Sequence, residues 1–168
     1  MYCRLVIVTA MFLFIHTAIA QSVSRAYAGE DGKTHVVYAN GATKTVPPEK
    51  QQVGCESILV AADKRTVGWS VLERNCCTSY RIATVIVLYR DGRKTIISPP
   101  QAIYQWHFTG GGEHIAVLFG PVHGGPAGAN LYDVRSGGLT ASWTGKSPAP
   151  TWAKDKDWES EFGTTLNH

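Results

Sequence analysis

Ten short runs of β-branched, aromatic and aliphatic residues, each closed off by turn-forming residues, constrain this chain more than anything else in it. The runs are 35–38, 42–46, 57–61, 66–72, 82–90, 94–98, 103–109, 114–120, 130–134 and 139–143. Between them stand Asp31-Gly32, Asn40-Gly41, Asp63-Lys64-Arg65, Asp91-Gly92, Gly110-Gly111-Gly112 and Ser136-Gly137-Gly138. Asn-Gly and Asp-Gly supply the positive φ angles that a tight hairpin needs, and runs of this length with period-two alternation read as strands. No interior window carries a helical period. The expected fold is therefore all-β and antiparallel.

An internal repeat sharpens the expectation. The pattern of Ala62–Val71 returns in Gly110–Phe119, and Val87-Leu88-Tyr89 followed by Asp91-Gly92 returns as Asn130-Leu131-Tyr132 followed by Ser136-Gly137-Gly138. A period in the forties that holds four short strands is the mark of propeller blades. The stretch Ala62-Asp63-Lys64-Arg65-Thr66-Val67-Gly68-Trp69 resembles the Ser-Pro-Asp-Gly-Lys hairpin of WD40-like and TolB-type β-propeller repeats. Leu131-Tyr132-Asp133-Val134-Arg135-Ser136-Gly137-Gly138 is similar to their outer hairpin. The resemblance covers residues 56–143; Gly111-Gly112-Glu113 replaces Asp-Gly-Lys in the second copy, and the Trp-Asp dipeptide is absent. It implies blades and says nothing of activity. Two blades, or three with 31–46 as a partial one, are fewer than the four to eight that close a propeller. Two arrangements stay open: chains assemble, giving a homo-oligomer, or the sheets pack face to face as in a sandwich.

The first twenty residues read as a signal peptide. Arg4 precedes an apolar run from Leu5 to Ile15 that ends in Ala18-Ile19-Ala20, the order of basic start, apolar core and small-x-small cleavage site that export requires. The run is shorter than the roughly 20 residues needed to cross a bilayer. The expectation is a secreted or periplasmic protein that starts at Gln21 and has no membrane contact after cleavage. Residues 21–146 then form one all-β domain, an N-terminal hairpin followed by blade-like repeats over about 56–98 and 103–143, with 147–168 as a C-terminal tail. Within that tail, Trp152 to Phe162 reads as either a docked strand with a short helix or a loose segment.

Charge narrows the partners. The net charge of the whole sequence is +3, with Arg4 contributing one unit, and this offers no broad electrostatic footprint for nucleic acid. Lys64-Arg65 and Arg93-Lys94 fall at turns, where solvated charge is the ordinary expectation. The partner expected is a protein or a small polar ligand.

The candidate ligand surface comes from the two connections that outrun a hairpin's needs, 73–80 and 120–128. They would present Arg74, Asn75, Tyr80 and His123. Cys55, Cys76 and Cys77 are disulfide candidates in an oxidising compartment, and their odd number leaves at least one thiol over. A Cys76–Cys77 bridge is disfavoured because adjacent Cα atoms are about 3.8 Å apart, closer than the usual disulfide range of about 4.4–6.8 Å. Pairing of 57–61 with 66–72 would instead bring Cys55 towards the 73–77 segment.

Catalytic chemistry finds no signature. A nucleophile elbow and a phosphate loop are missing, and His107, His114 and His123 have no accompanying ligand spacing that would fix a metal. Glu73 and Asp133 are the one carboxylate pair worth locating for glycoside chemistry. Trp69 and Trp106 follow the strand alternation and are expected in the core, whereas Trp152 and Trp158 are candidates for a partner or sugar contact. The expectation is an exported, non-enzymatic binding module without cofactor; the alternative is a small exported enzyme or thiol-redox protein built on the Cys76/Cys77 and His123 loops.

Overall fold

The computed structural model describes residues 21–73, 81–125, 127–145 and 147–153. Over these residues the chain is all-β, with three antiparallel sheets, none of them closed. The first sheet is β1 (Val23–Ala28), β2 (Thr34–Tyr38) and β3 (Thr43–Val46). The second runs β4 (Gln52–Val60), β5 (Thr66–Glu73), β6 (Ile82–Arg90) and β7 (Arg93–Ile97), and the third β8 (Ala102–Thr109), β9 (His114–Gly120), β10 (Gly128–Asp133) and β11 (Leu139–Trp143). Every sheet is a meander, in which strands adjacent in sequence pair side by side. The two copies of the repeat are the second and third sheets.

Turn chemistry explains why the meanders form. β6 and β7 are joined by Asp91 and Gly92 alone, with φ of 49° and 83°, and two successive positive φ values define the type I′ turn that matches strand twist. The pairing Arg90↔Arg93 follows directly from that turn.

The sheets stack in series because β5 and β6 divide their side chains between two cores. Alternation sends Val67, Trp69, Val71, Val87 and Tyr89 towards the first sheet, where they meet Val23, Val36 and Val46. It sends Ile86, Leu88 and Ile97 the other way, against Trp106, Ile115, Val117, Tyr132 and Val134 of the third sheet. Successive strand residues face opposite sides, so a strand buried on both faces reads as an unbroken apolar run. Each large side chain so enclosed contributes about 1.5–3 kcal/mol of transfer free energy.

Gly68 sets the spacing between the second and third sheets. A Cβ at that position would lie 2.6 Å from the Trp106 ring, so only glycine lets the indole lie across β5. The far face of the third sheet carries Ala116, Leu118, Ala129 and Trp143, and residues 147–153 fold back over it, with Ala153 3% exposed. Ser147 accepts a hydrogen bond from Trp143 Nε1 at 2.8 Å. The outer face of the first sheet is solvated: Arg25 sits 5.4 Å over the Tyr27 ring, which stacks on His35 at 5.1 Å.

Two expectations need correction. The N-terminal element is a three-stranded sheet and not a hairpin, because Val23–Ala28 is a strand whose register shifts between Val23 and Arg25; that irregularity hides the period of two. β4 also starts earlier than the apolar run suggests, with shifts between Gln52 and Gly54 and between Glu56 and Leu59 and a positive φ at Ser57. No helix among the described residues is long and apolar enough to cross a membrane.

Candidate functional site

The hairpin turns of the second and third sheets all open at one end of the stack. β4–β5, β6–β7, β8–β9 and β10–β11 each turn there, and two of these turns, β4–β5 and β10–β11, are built on an aspartate. Asp63 Oδ1 accepts from the backbone N–H groups of Arg65 and Thr66 at 2.8 and 3.0 Å. Asp133 Oδ1 does the same for Arg135 and Ser136 at 3.2 and 2.7 Å. A short polar side chain that bonds to the backbone just ahead of it holds a turn in one shape.

Between these turns lies a cleft of about 570 Å³, lined by Arg65, Arg90, Asp91, Arg93, Thr95 and Arg135, with Lys94 and Val134 completing the wall. Gly137 fixes its width. The Gly137 turn presses on β7 so closely that a Cβ there would come 2.8 Å from Thr95 Cγ2. Its φ of 71° also suits glycine. A second recess of about 320 Å³ adjoins the cleft, bordered by Asp63, Glu113, His114, Asp133 and Arg135.

Three of the five cations here are already satisfied. Arg65 Nη2 donates to Asp91 at 2.6 Å, Arg90 Nη1 donates to Asp63 at 2.6 Å, and Lys94 Nζ donates to Glu49 at 2.5 Å. Arg93 and Arg135 are exposed and have no carboxylate partner among the described residues. The pairing Arg90↔Arg93 puts two like charges directly across from each other, an arrangement that is destabilising in a sheet. The cleft thus holds two cations without an ion pair among the described residues, one from each sheet.

Electrostatics locks the carboxylates as ions. Burial alone would raise the pKa of Asp63, but the N–H groups of Arg65 and Thr66, the Thr66 hydroxyl and the Arg90 guanidinium outweigh it and hold the carboxyl below its ordinary range. The side chain and backbone of Ser136, with the Arg135 N–H and the His114 ring, lower that of Asp133. Carboxylates so engaged act as braces for the turns.

The strand ends from which the two long connections leave, Glu73 of β5 and Gly120 of β9, lie at the opposite end of the stack. Glu73 and Val122 share a smaller cleft of about 330 Å³ there with Thr84 and Pro99–Ala102. His123 is exposed in that region, in a loop tied down by the Tyr104 hydroxyl, which lies 2.8 Å from the Pro121 carbonyl and 2.6 Å from that of Gly124. Arg74, Asn75, Tyr80, Cys76 and Cys77 lie outside the described residues, as do residues 1–20 and Trp158. Cys55 is a free thiol that packs beside the core between the first two sheets and accepts a weak hydrogen bond from Thr34 Oγ1 at 3.9 Å.

Other pairs are separated. Glu73 closes β5 at the long-loop end, while Asp133 sits at the hairpin end, on the order of 20 Å away by strand rise; no shared glycoside chemistry is open to them. His107 and His114 do share a face, opposite Ala116 and Thr109, but His123 belongs to the other end.

The basic cleft was missed because each turn's charges, taken singly, read as solvated. The signal that could have found it is the repeat itself, since the corresponding β6–β7 and β10–β11 turns both carry an arginine.

No protein-family model and no curated protein matches this chain. Among solved structures it is similar to one described as the crystal structure of the eukaryotic initiation factor, at a TM-score of 0.50 and 15% identity over 76% of this chain. The match spans 31% of that protein, so this chain corresponds to about a third of it. At that identity the likeness is one of fold.

Proposed function

We propose that this chain is an exported, non-enzymatic binding module that takes an anionic ligand in the cleft between the hairpin ends of its second and third sheets. One observation carries the reading: Arg93 and Arg135, supplied by different sheets, line the same cleft, and neither forms an ion pair among the described residues. Unpaired cations held at a concave site raise the local concentration of anions and orient them on arrival. The cleft's volume falls within the roughly 300–1,000 Å³ of small-molecule sites. Its nearest carboxylates are occupied by arginine and backbone N–H groups, which suits holding a ligand better than moving its protons.

Retention on an immobilised sulfated polysaccharide tests the reading. The parent protein should elute at higher salt than a variant carrying Arg93→Glu and Arg135→Glu, because exposed charge contacts are screened. Equal elution of the two would remove the support for this cleft.

A further inference from the structure

We infer that the ligand of this cleft ends in a dianionic phosphate monoester, gripped between Arg93 and Arg135. The inference rests on the anion-binding reading above and narrows it to one chemical class. Pairing singles out two cations: Arg65, Arg90 and Lys94 are matched with Asp91, Asp63 and Glu49, and Arg93 and Arg135 have no ion pair among the described residues. A terminal phosphate brings close to two negative charges at neutral pH. Guanidinium groups match phosphate oxygens with paired, parallel donors, a geometry that lysine cannot offer.

Placement agrees with this. The Asp91-Gly92 turn holds Arg93 at the first position of β7, and the Gly137 turn rests on Thr95 of the same strand. Arg135 is thereby brought to the same cleft, which Thr95 also lines, its hydroxyl 3.5 Å from the Arg135 carbonyl. Arg65 and Arg90 are tied into position by their aspartates. A polymer backbone needs a long track of cations, typically six to ten contacts, whereas two arginines at one cleft suit one terminal group. The remaining volume, walled in part by Val134, accommodates the organic body that carries the phosphate.

The test follows amide shifts of Gly92, Thr95 and Arg135 by NMR during titration with phenyl phosphate, with sulfate and with dimethyl phosphate, at constant ionic strength. Phenyl phosphate should bind about tenfold more tightly as pH rises through its second ionisation near 6, because only the ligand gains charge while arginine stays cationic. Asp63, Asp91, Asp133, Glu49, Glu113 and His114 are the other titratable groups at the cleft and its recess. Sulfate, a dianion throughout, reports their contribution. Arg93→Gln and Arg135→Gln should each weaken phenyl phosphate about tenfold, with Arg25→Gln, on the outer face of the first sheet, unchanged.

Retention on sulfated polysaccharide that needs Arg93 and Arg135, with no phenyl phosphate binding, would overturn this inference and leave the anion cleft standing. Binding of dimethyl phosphate as tight as that of phenyl phosphate would overturn it in favour of a phosphodiester backbone. Failure of every anion would overturn both readings.

Discussion

The indole N–H of Trp106 in β8 donates to the hydroxyl of Ser70 in β5 at 2.7 Å, with both groups buried. This bond crosses between the second and third sheets, and it positions the indole over Gly68. The geometry of the cleft therefore depends on it, since the same two sheets supply Arg93 and Arg135.

Ser70→Ala leaves a buried indole N–H without an acceptor and should cost about 1–3 kcal/mol. Gly68→Ala should cost at least as much by a different route, because its Cβ would meet the Trp106 ring at 2.6 Å and overpacking of this kind costs about 1–3 kcal/mol. Urea unfolding followed by tryptophan fluorescence measures both. A Ser70→Ala variant as stable as the parent would show that the bond contributes nothing to docking the sheets.

Asp63 predicts a specific acid response. Its folded-state pKa lies below the ordinary carboxylate value, so the unfolded chain binds more protons in the window between the lowered pKa and about 4. The stabilisation is complete above that window and is lost as pH falls through the folded-state pKa. Asp63→Asn should therefore lower stability by about 1–3 kcal/mol at neutral pH. The gap to the parent should narrow as pH is brought down towards about 2. A gap that stays constant with pH would show that the carboxylate's charge is not what braces the turn.

Cys55 should react slowly. Burial raises its pKa, against the opposing effect of the Thr34 hydroxyl, and only the thiolate is nucleophilic. In the folded protein, iodoacetamide should modify Cys55 more slowly than a free thiol of ordinary pKa near 8.5, and denaturant should abolish the difference. Peptide mapping of the alkylated protein reads this out. Recovery of Cys55 in a disulfide from the oxidised, folded protein would contradict the packing described for it.

Glycine punctuation and period-two alternation made most strands legible, because hairpin registers are local: Asp91-Gly92 dictates Arg90↔Arg93 with no help from the rest of the molecule. β1 and the first half of β4 were illegible for the opposite reason, since a register shift breaks the alternation that identifies a strand. The repeat was visible, and the second and third sheets are its two copies. The cleft was not. Arg93 and Arg135 stand more than forty positions apart and meet only because Gly137 lets one turn rest on β7, a consequence of how two sheets pack. The interplay of Trp106 with Gly68 and Ser70 was hidden in the same way, although alternation did place Trp106 in the core.

The last prediction concerns the segment that covers the third sheet. In a closed ring of blades, the outer face of each sheet is covered by the next blade; here Ala116, Leu118, Ala129 and Trp143 are covered by the chain's own residues 149–153. Ala153 is 3% exposed, so Ala153→Glu would bury an unpaired charge, which costs more than the segment's docking can offset. The segment should then leave the sheet and expose Leu118 and Trp143 as a contiguous apolar surface beside β11, whose Leu139 is already 56% exposed. Surfaces of that kind drive association. Sedimentation should find the parent monomeric and Ala153→Glu associating with rising concentration, with Trp143 emission shifted to the red. Ala153→Ser, which adds one small hydroxyl, should behave as the parent. A monomeric Ala153→Glu variant of undiminished stability would show that the segment does not serve as the third sheet's cover.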